Sequence, residues 1–164
     1  FMTYANVVYS YGAEDFIRIC SEIGIDGLIL PDIPYEEKDE FDPLCKKYGL
    51  DLISLIAPTS EGRISMIASK ASGFIYIVSS LGVTGTRSEI HTDIASMVKL
   101  IRENSSIPCA VGFGISTAEQ DAHMASVSDG AIVGSAIIKL IAKHGKQAAP
   151  IVGEYVRKMK EALK

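Results

Sequence analysis

Short apolar runs recur along the chain, with starts about 22 to 26 residues apart except for one longer interval. The runs are Phe1–Tyr4, Gly27–Leu30, Leu50–Ile56, Phe74–Val78, Cys109–Val111 and Ala131–Val133. Their length and their branched or aromatic content predict buried strands. The segments between them have helical periodicity. Phe16, Cys20 and Ile23 fall on one face, and Ile94, Met97, Val98 and Ile101 on another. Ile151, Tyr155, Met159 and Ala162 repeat the pattern near the end.

Helix boundaries carry their own signals. Glu36 and Glu37 follow Pro34, as at a helix start, and Ser116-Thr117-Ala118-Glu119 has the form of a capping box. Gly24 and Gly49 stand just past helical patterns, where a left-handed cap favours glycine.

Six strand-then-helix units result, with no linker-like or low-complexity stretch, so one α/β domain over residues 1–164 is expected. Strict alternation predicts a parallel sheet covered by helices. It fits an open doubly wound sheet or part of a (β/α)₈ barrel. A whole barrel takes about 250 residues, so 164 hold five or six of its eight units.

Composition narrows the functions. Net charge is -4 and no block of Lys and Arg stands out, which argues against nucleic acid or an anionic membrane as partner. No apolar run approaches the roughly 18 residues of a membrane span. Cys20, Cys45 and Cys109 each sit in an apolar-periodic segment and read as buried thiols of a reducing, cytoplasmic protein. His91, His123 and His144 share no metal-like spacing, and neither a metal nor a cofactor is expected.

In parallel sheets ligands bind beyond the carboxyl ends of the strands. Those ends read Tyr4-Ala5-Asn6, Pro31-Asp32-Ile33-Pro34, Ala57-Pro58-Thr59, the loop Ser79–Glu89, Gly112-Phe113-Gly114 and Gly134-Ser135. Glycine turns after two successive strands, each opening a helix, suit an anion, because backbone N–H groups approach it closely and the helix end adds positive charge. A dinucleotide fingerprint is not met, since the glycine spacing fails and no acidic residue ends the next strand. Asp32 is the one clear acid at a strand end; it either faces a ligand, partner or loop, or caps the helix after Pro34. Tyr76 lies inside an apolar strand; its hydroxyl either meets a substrate inside a barrel or is satisfied within the packing. The stretch Ser79–Glu89, with Gly82 and Gly85 around Val83-Thr84, has the character of a lid or binding loop.

Taken together, "YAN" after the first run, "PDIP" after the second, "GVTG" in the long loop, "VGFGIS" and "VGSAI" resemble the tryptophan synthase alpha subunit family, through nearly the whole chain. The resemblance implies a TIM barrel, here incomplete, comprising strands three to eight of the family. It implies cleavage of indole-3-glycerol phosphate to indole and glyceraldehyde 3-phosphate. Tyr76 and Thr84 are then catalytic-site residues, with Thr84 on a closing lid. Gly85, Gly112, Phe113, Gly114, Ile132, Gly134 and Ser135 bind substrate, chiefly its phosphate, and Tyr4 and Met2 lie near the indole pocket. Asn6, Asp32 and Pro34 fall on a rim facing a beta subunit in an αββα complex. The family's catalytic glutamate belongs to its first strand, ahead of Phe1, so this chain alone is expected to lack lyase activity. Another phosphate-binding barrel of amino-acid biosynthesis and a non-catalytic partial-barrel scaffold are the alternatives.

Overall fold

Backbone pairing starts at the first residue. The computed structural model describes residues 1–78, 93–112 and 117–162. The Phe1 amino group donates to Gly27 O at 2.8 Å, Ile29 N to Phe1 O at 2.8 Å, and Thr3 N to Ile29 O at 3.1 Å. The first run is therefore a short parallel strand, reduced to a single bridge between Met2 and Ile29. Helices α1 (Ala5–Tyr11) and α2 (Ala13–Glu22) lead to β1 (Gly27–Leu28), a 3₁₀ turn over Tyr35–Glu40 and α3 (Asp42–Tyr48). Next come β2 (Asp51–Leu52), β3 (Ser54–Ile56), α4 (Glu61–Ser69) and β4 (Ile75–Val78). After α5 (Ile94–Asn104) and β5 (Cys109–Gly112) come α6 (Ala118–Val127), β6 (Gly130–Ala131), α7 (Ser135–His144) and α8 (Ala148–Glu161).

Every described strand pair is parallel. β1 pairs with β2, and the order of the larger sheet is β3-β4-β5-β6. Only Ile53 separates β2 from β3, and its N–H still reaches Leu28 O at 2.9 Å. The predicted run Leu50–Ile56 thus pairs backward through its first half and forward through its second, changing partners at Ile53. The wall then runs in chain order from end to end. A doubly wound sheet reverses its strand order, and a barrel wall does not. The fold is an incomplete (β/α) barrel of six units.

Alternation along the strands decides the faces. Ile56, Ile75, Ile77, Cys109 and Val111 pack outward against Ile64 and Ile67 of α4 and Ile94, Met97, Val98 and Ile101 of α5. All four predicted positions of α5 are buried. A second core joins Val8, Ile17, Cys20, Leu28, Phe41, Cys45 and Leu52. Gly49 closes α3 with φ 74°, a left-handed cap that costs glycine nothing.

Three expectations shift. Ile23 lies one residue past the end of α2 and is 63% exposed, and Ile17 with Cys20 forms the buried stripe instead. Ala162 is past the end of α8 and exposed, whereas Met159 is buried. Helix α1 was not foreseen, because Val7, Val8, Tyr9 and Tyr11 favour strands by type; burial of Ala5 and Val8 overrides that preference. Ser116 of the capping box and the loop Ser79–Glu89 lie outside the described residues.

Candidate functional site

The inner face of the wall follows from the outward set by parity. Tyr76 stands between Ile75 and Ile77 and therefore points inward, opposite Leu55 on one side and Ala110 on the other. It is 4% exposed, and burial pushes its phenol pKa up, so the ring is neutral at physiological pH. One strand over and two residues on, Gly112 pairs with Val78. A Cβ on Gly112 would fall inside the van der Waals envelope of the Tyr76 ring and hydroxyl. Gly112 is thus a seat for Tyr76, needed because the ring lies where a side chain would be.

The next strand ends beside it. Ile132 N donates to Val111 O at 2.8 Å, which extends the ladder one bond beyond β6. Val133 packs into the outward core, so Ile132 faces inward with Tyr76. Gly134 is exposed and opens α7, with Ser135 as the first helical residue and Ile138 N bonding back to Gly134 O at 3.1 Å. Gly134 adopts φ -117°, and a Cβ there would meet nothing within 4 Å. The start of α7 therefore keeps open space around N–H groups that carry the positive end of the helix dipole.

On the other side, the first strand places Met2 (48% exposed) and Tyr4 (61% exposed) beside the turn after β1. Asp32 does not cap the helix after Pro34. Its two carboxylate oxygens both accept from Ala5 N, each at 3.1 Å, across 27 residues of chain. Asn6 and Pro34 are exposed on either side of this link. Asp32 lies in the turn that follows β1 and the Ile29 bridge. Thr84, Gly85, Phe113 and Gly114 lie outside the described residues. Sequence reading missed the link to Ala5 and the Gly112 seat. Only the Pro-Asp pair closing a strand hinted at the first.

The remaining candidates resolve simply. The three cysteines are free and buried, and burial raises their thiol pKa values, for Cys45 to about 11. Among the described residues no cluster of His, Cys, Asp and Glu is arranged to hold a metal, and no helix is long and apolar enough to cross a membrane.

Parallel strands in barrel order, an apolar inner face carrying a neutral phenol, and a glycine-opened helix start at α7 define a (β/α)-barrel protein. The family model described as tryptophan synthase alpha chain matches residues 1–164. The chain belongs to the tryptophan synthase alpha chain family. The tryptophan synthase alpha chain of Lactiplantibacillus plantarum is 49% identical over 99% of this chain and 62% of its own. A solved structure of tryptophan synthase subunit alpha from Campylobacter jejuni superposes with a TM-score of 0.85 at 36% identity, over 97% of this chain and 63% of that one. A chain from a structure of the tryptophan synthase α2β2 complex of Pyrococcus furiosus gives 0.83 at 30% identity, over 98% and 65%. The chain thus spans about three fifths of the length of the curated relatives it matches.

Proposed function

We propose that the protein is the alpha chain of a tryptophan synthase and cleaves indole-3-glycerol phosphate to indole and glyceraldehyde 3-phosphate. The observation that carries this reading is Tyr76, inward and neutral, seated on Gly112 within one strand of the open start of α7. Family membership supplies the substrate. In the cleavage, the bond between the indole ring carbon and the first glycerol carbon breaks. The hydroxyl on that glycerol carbon gives up its proton and becomes the aldehyde, while the ring carbon takes one up. Protons balance, so a single acid/base group suffices.

Gly134 and Ser135 hold the phosphate in this reading, together with Phe113 and Gly114, and Gly85 joins them from the loop. Ile132 and Gly112 shape the floor, and Tyr76 lines the indole-glycerol pocket. Tyr4 and Met2 close its other side, and Thr84 packs over it when the loop closes and excludes water. The six units correspond to strands three to eight of the family. The carboxylate for proton transfer comes from the part of the barrel these residues do not match, because Asp32 is engaged with Ala5. The rim at Asn6, Asp32 and Pro34 meets a beta subunit, consistent with the α2β2 assembly solved for the Pyrococcus furiosus relative. The reaction is that of a soluble cytoplasmic enzyme, with no cofactor in this subunit.

The test is indole release from indole-3-glycerol phosphate. It is run on the 164-residue chain and on the chain extended to the length of its relatives, each with and without a beta subunit. Turnover by the extended chain alone, rising with the beta subunit, is expected. An extended chain that neither binds nor cleaves the substrate overturns the function, and full turnover by the 164 residues overturns the assignment of the carboxylate.

A further inference from the structure

The backbone ladder between the first strand and β1 stops for a chemical reason. Ile29 donates to Phe1 O and accepts from Thr3 N. In a parallel ladder the next rung belongs to residue 31, which would donate to Thr3 O and accept from Ala5 N. Residue 31 is proline and has no N–H to donate. The Asp32 carboxylate takes over the second half of that rung, accepting Ala5 N on both oxygens at 3.1 Å. Ala5 is the first residue of α1, so its N–H is one that no intrahelical carbonyl can satisfy. A carboxylate suits that position twice, as a charge-assisted acceptor and as a negative charge at the positive end of the helix.

We propose that Asp32 is a positioning residue, the clamp that presents Asn6 and Pro34 as one preformed surface to the partner subunit. The inference rests on the partner reading given above. The geometry supports it from both sides of the link. Asn6 follows the clamped amide directly, and Tyr4 precedes it. On the far side, Pro31 and Pro34 restrict the backbone around Asp32, and Ile33 N closes a turn onto Leu30 O at 3.3 Å. Leu30 is buried and anchors that turn to the wall. A rim built from two segments 27 residues apart would otherwise be ordered only on docking, at a cost in affinity. The clamp orders it beforehand.

The experiment compares wild type, Asp32→Asn and Asp32→Ala in the protein extended to its relatives' length, by calorimetric titration with the beta subunit. Amide hydrogen exchange at Ala5 is measured on the same samples. Asp32→Ala is expected to weaken the complex about tenfold, the scale of one charge-assisted hydrogen bond. Its Ala5 amide is expected to exchange faster. Asp32→Asn keeps an acceptor oxygen and should recover most of the affinity and protection, which a general loss of folding would not produce. If Ala does not fold, Asn decides: a smaller loss of affinity accompanied by faster Ala5 exchange supports the clamp. Unchanged affinity in the variants beside a wild type that binds tightly overturns it and leaves the function standing. A wild type that binds no beta subunit overturns the partner reading itself.

Discussion

The phenol ring of Tyr76 rests against the α-carbon of Gly112, across the β4–β5 pair and one inward-facing position further along. Tyr76 is buried on the inner face, so its ring has little room to swing away. Gly112→Ala is therefore expected to destabilise the chain by about 1 to 3 kcal/mol, the usual cost of overpacking. Tyr76→Phe should not relieve it, because the ring itself overlaps the new methyl. Tyr76→Ala should relieve it. Thermal denaturation of the single and double variants checks this, and strict additivity would contradict the packing.

Tyr76 also sets a pH limit. Its pKa is raised by burial, so the folded chain holds the neutral phenol after an unfolded tyrosine has ionised. The stability from that group is fully present below the unfolded tyrosine value, about 10. It is lost as pH rises through the folded value. The thermal midpoint is expected to fall more steeply above about pH 10 in wild type than in Tyr76→Phe. Parallel alkaline limbs would refute this.

The start of α7 separates charge from folding. A side chain at Gly134 meets open space, and its backbone angles suit any residue. Gly134→Ala should leave thermal stability nearly unchanged. Gly134→Asp should do likewise while putting a carboxylate where an anion would sit. Titration with inorganic phosphate is expected to show binding weakened at least tenfold by Asp, about the effect of one close like charge in a partly screened site. Equal affinity for phosphate in the Ala and Asp variants would remove the site from this helix.

Thiol chemistry reports on the two cores. Cys20 and Cys45 belong to one and Cys109 to the other, and burial raises all three pKa values. Since the thiolate is the reactive form, none of the three should be alkylated rapidly by iodoacetamide at neutral pH until the chain unfolds. Mass spectrometry after timed quenching counts the adducts, and fast labelling of any one in the folded chain would show that its surroundings open.

The parallel α/β class was legible from the alternation of strand runs and helical patterns, the barrel only from the family resemblance, and α5 shows its buried stripe residue by residue. Boundaries were harder. Leu50–Ile56 reads as one strand, and nothing in the residue types marks Ile53 as the point where its partners change. Helix α1 was hidden because its valines and tyrosines prefer strands, and its N-terminus is capped by a residue 27 positions away. The Gly112 seat was invisible for a similar reason. A glycine at a strand end reads equally as a turn or as an anion cradle, and only the ring lying on it shows why a side chain is excluded. The position of Gly134 and Ser135 at a helix start, by contrast, was legible from local spacing, because it depends only on the helix they open.

The change of partners at Ile53 divides the molecule's cohesion. One core gathers α1, α2, α3, β1 and β2, while the other gathers β3 to β6 with α4, α5, α6 and α8. Among the described residues the backbone ladder crosses between them where a single strand changes partners; Tyr35 packs from the first half into the second core, and Glu36 and Lys38 reach across to Arg63 and Ser54. Each half holds its own helices against its own strands, which is the arrangement of separate cooperative units. The rim that carries Asp32, Asn6 and Pro34 and the inner face that carries Tyr76 thus rest on different sets of buried side chains.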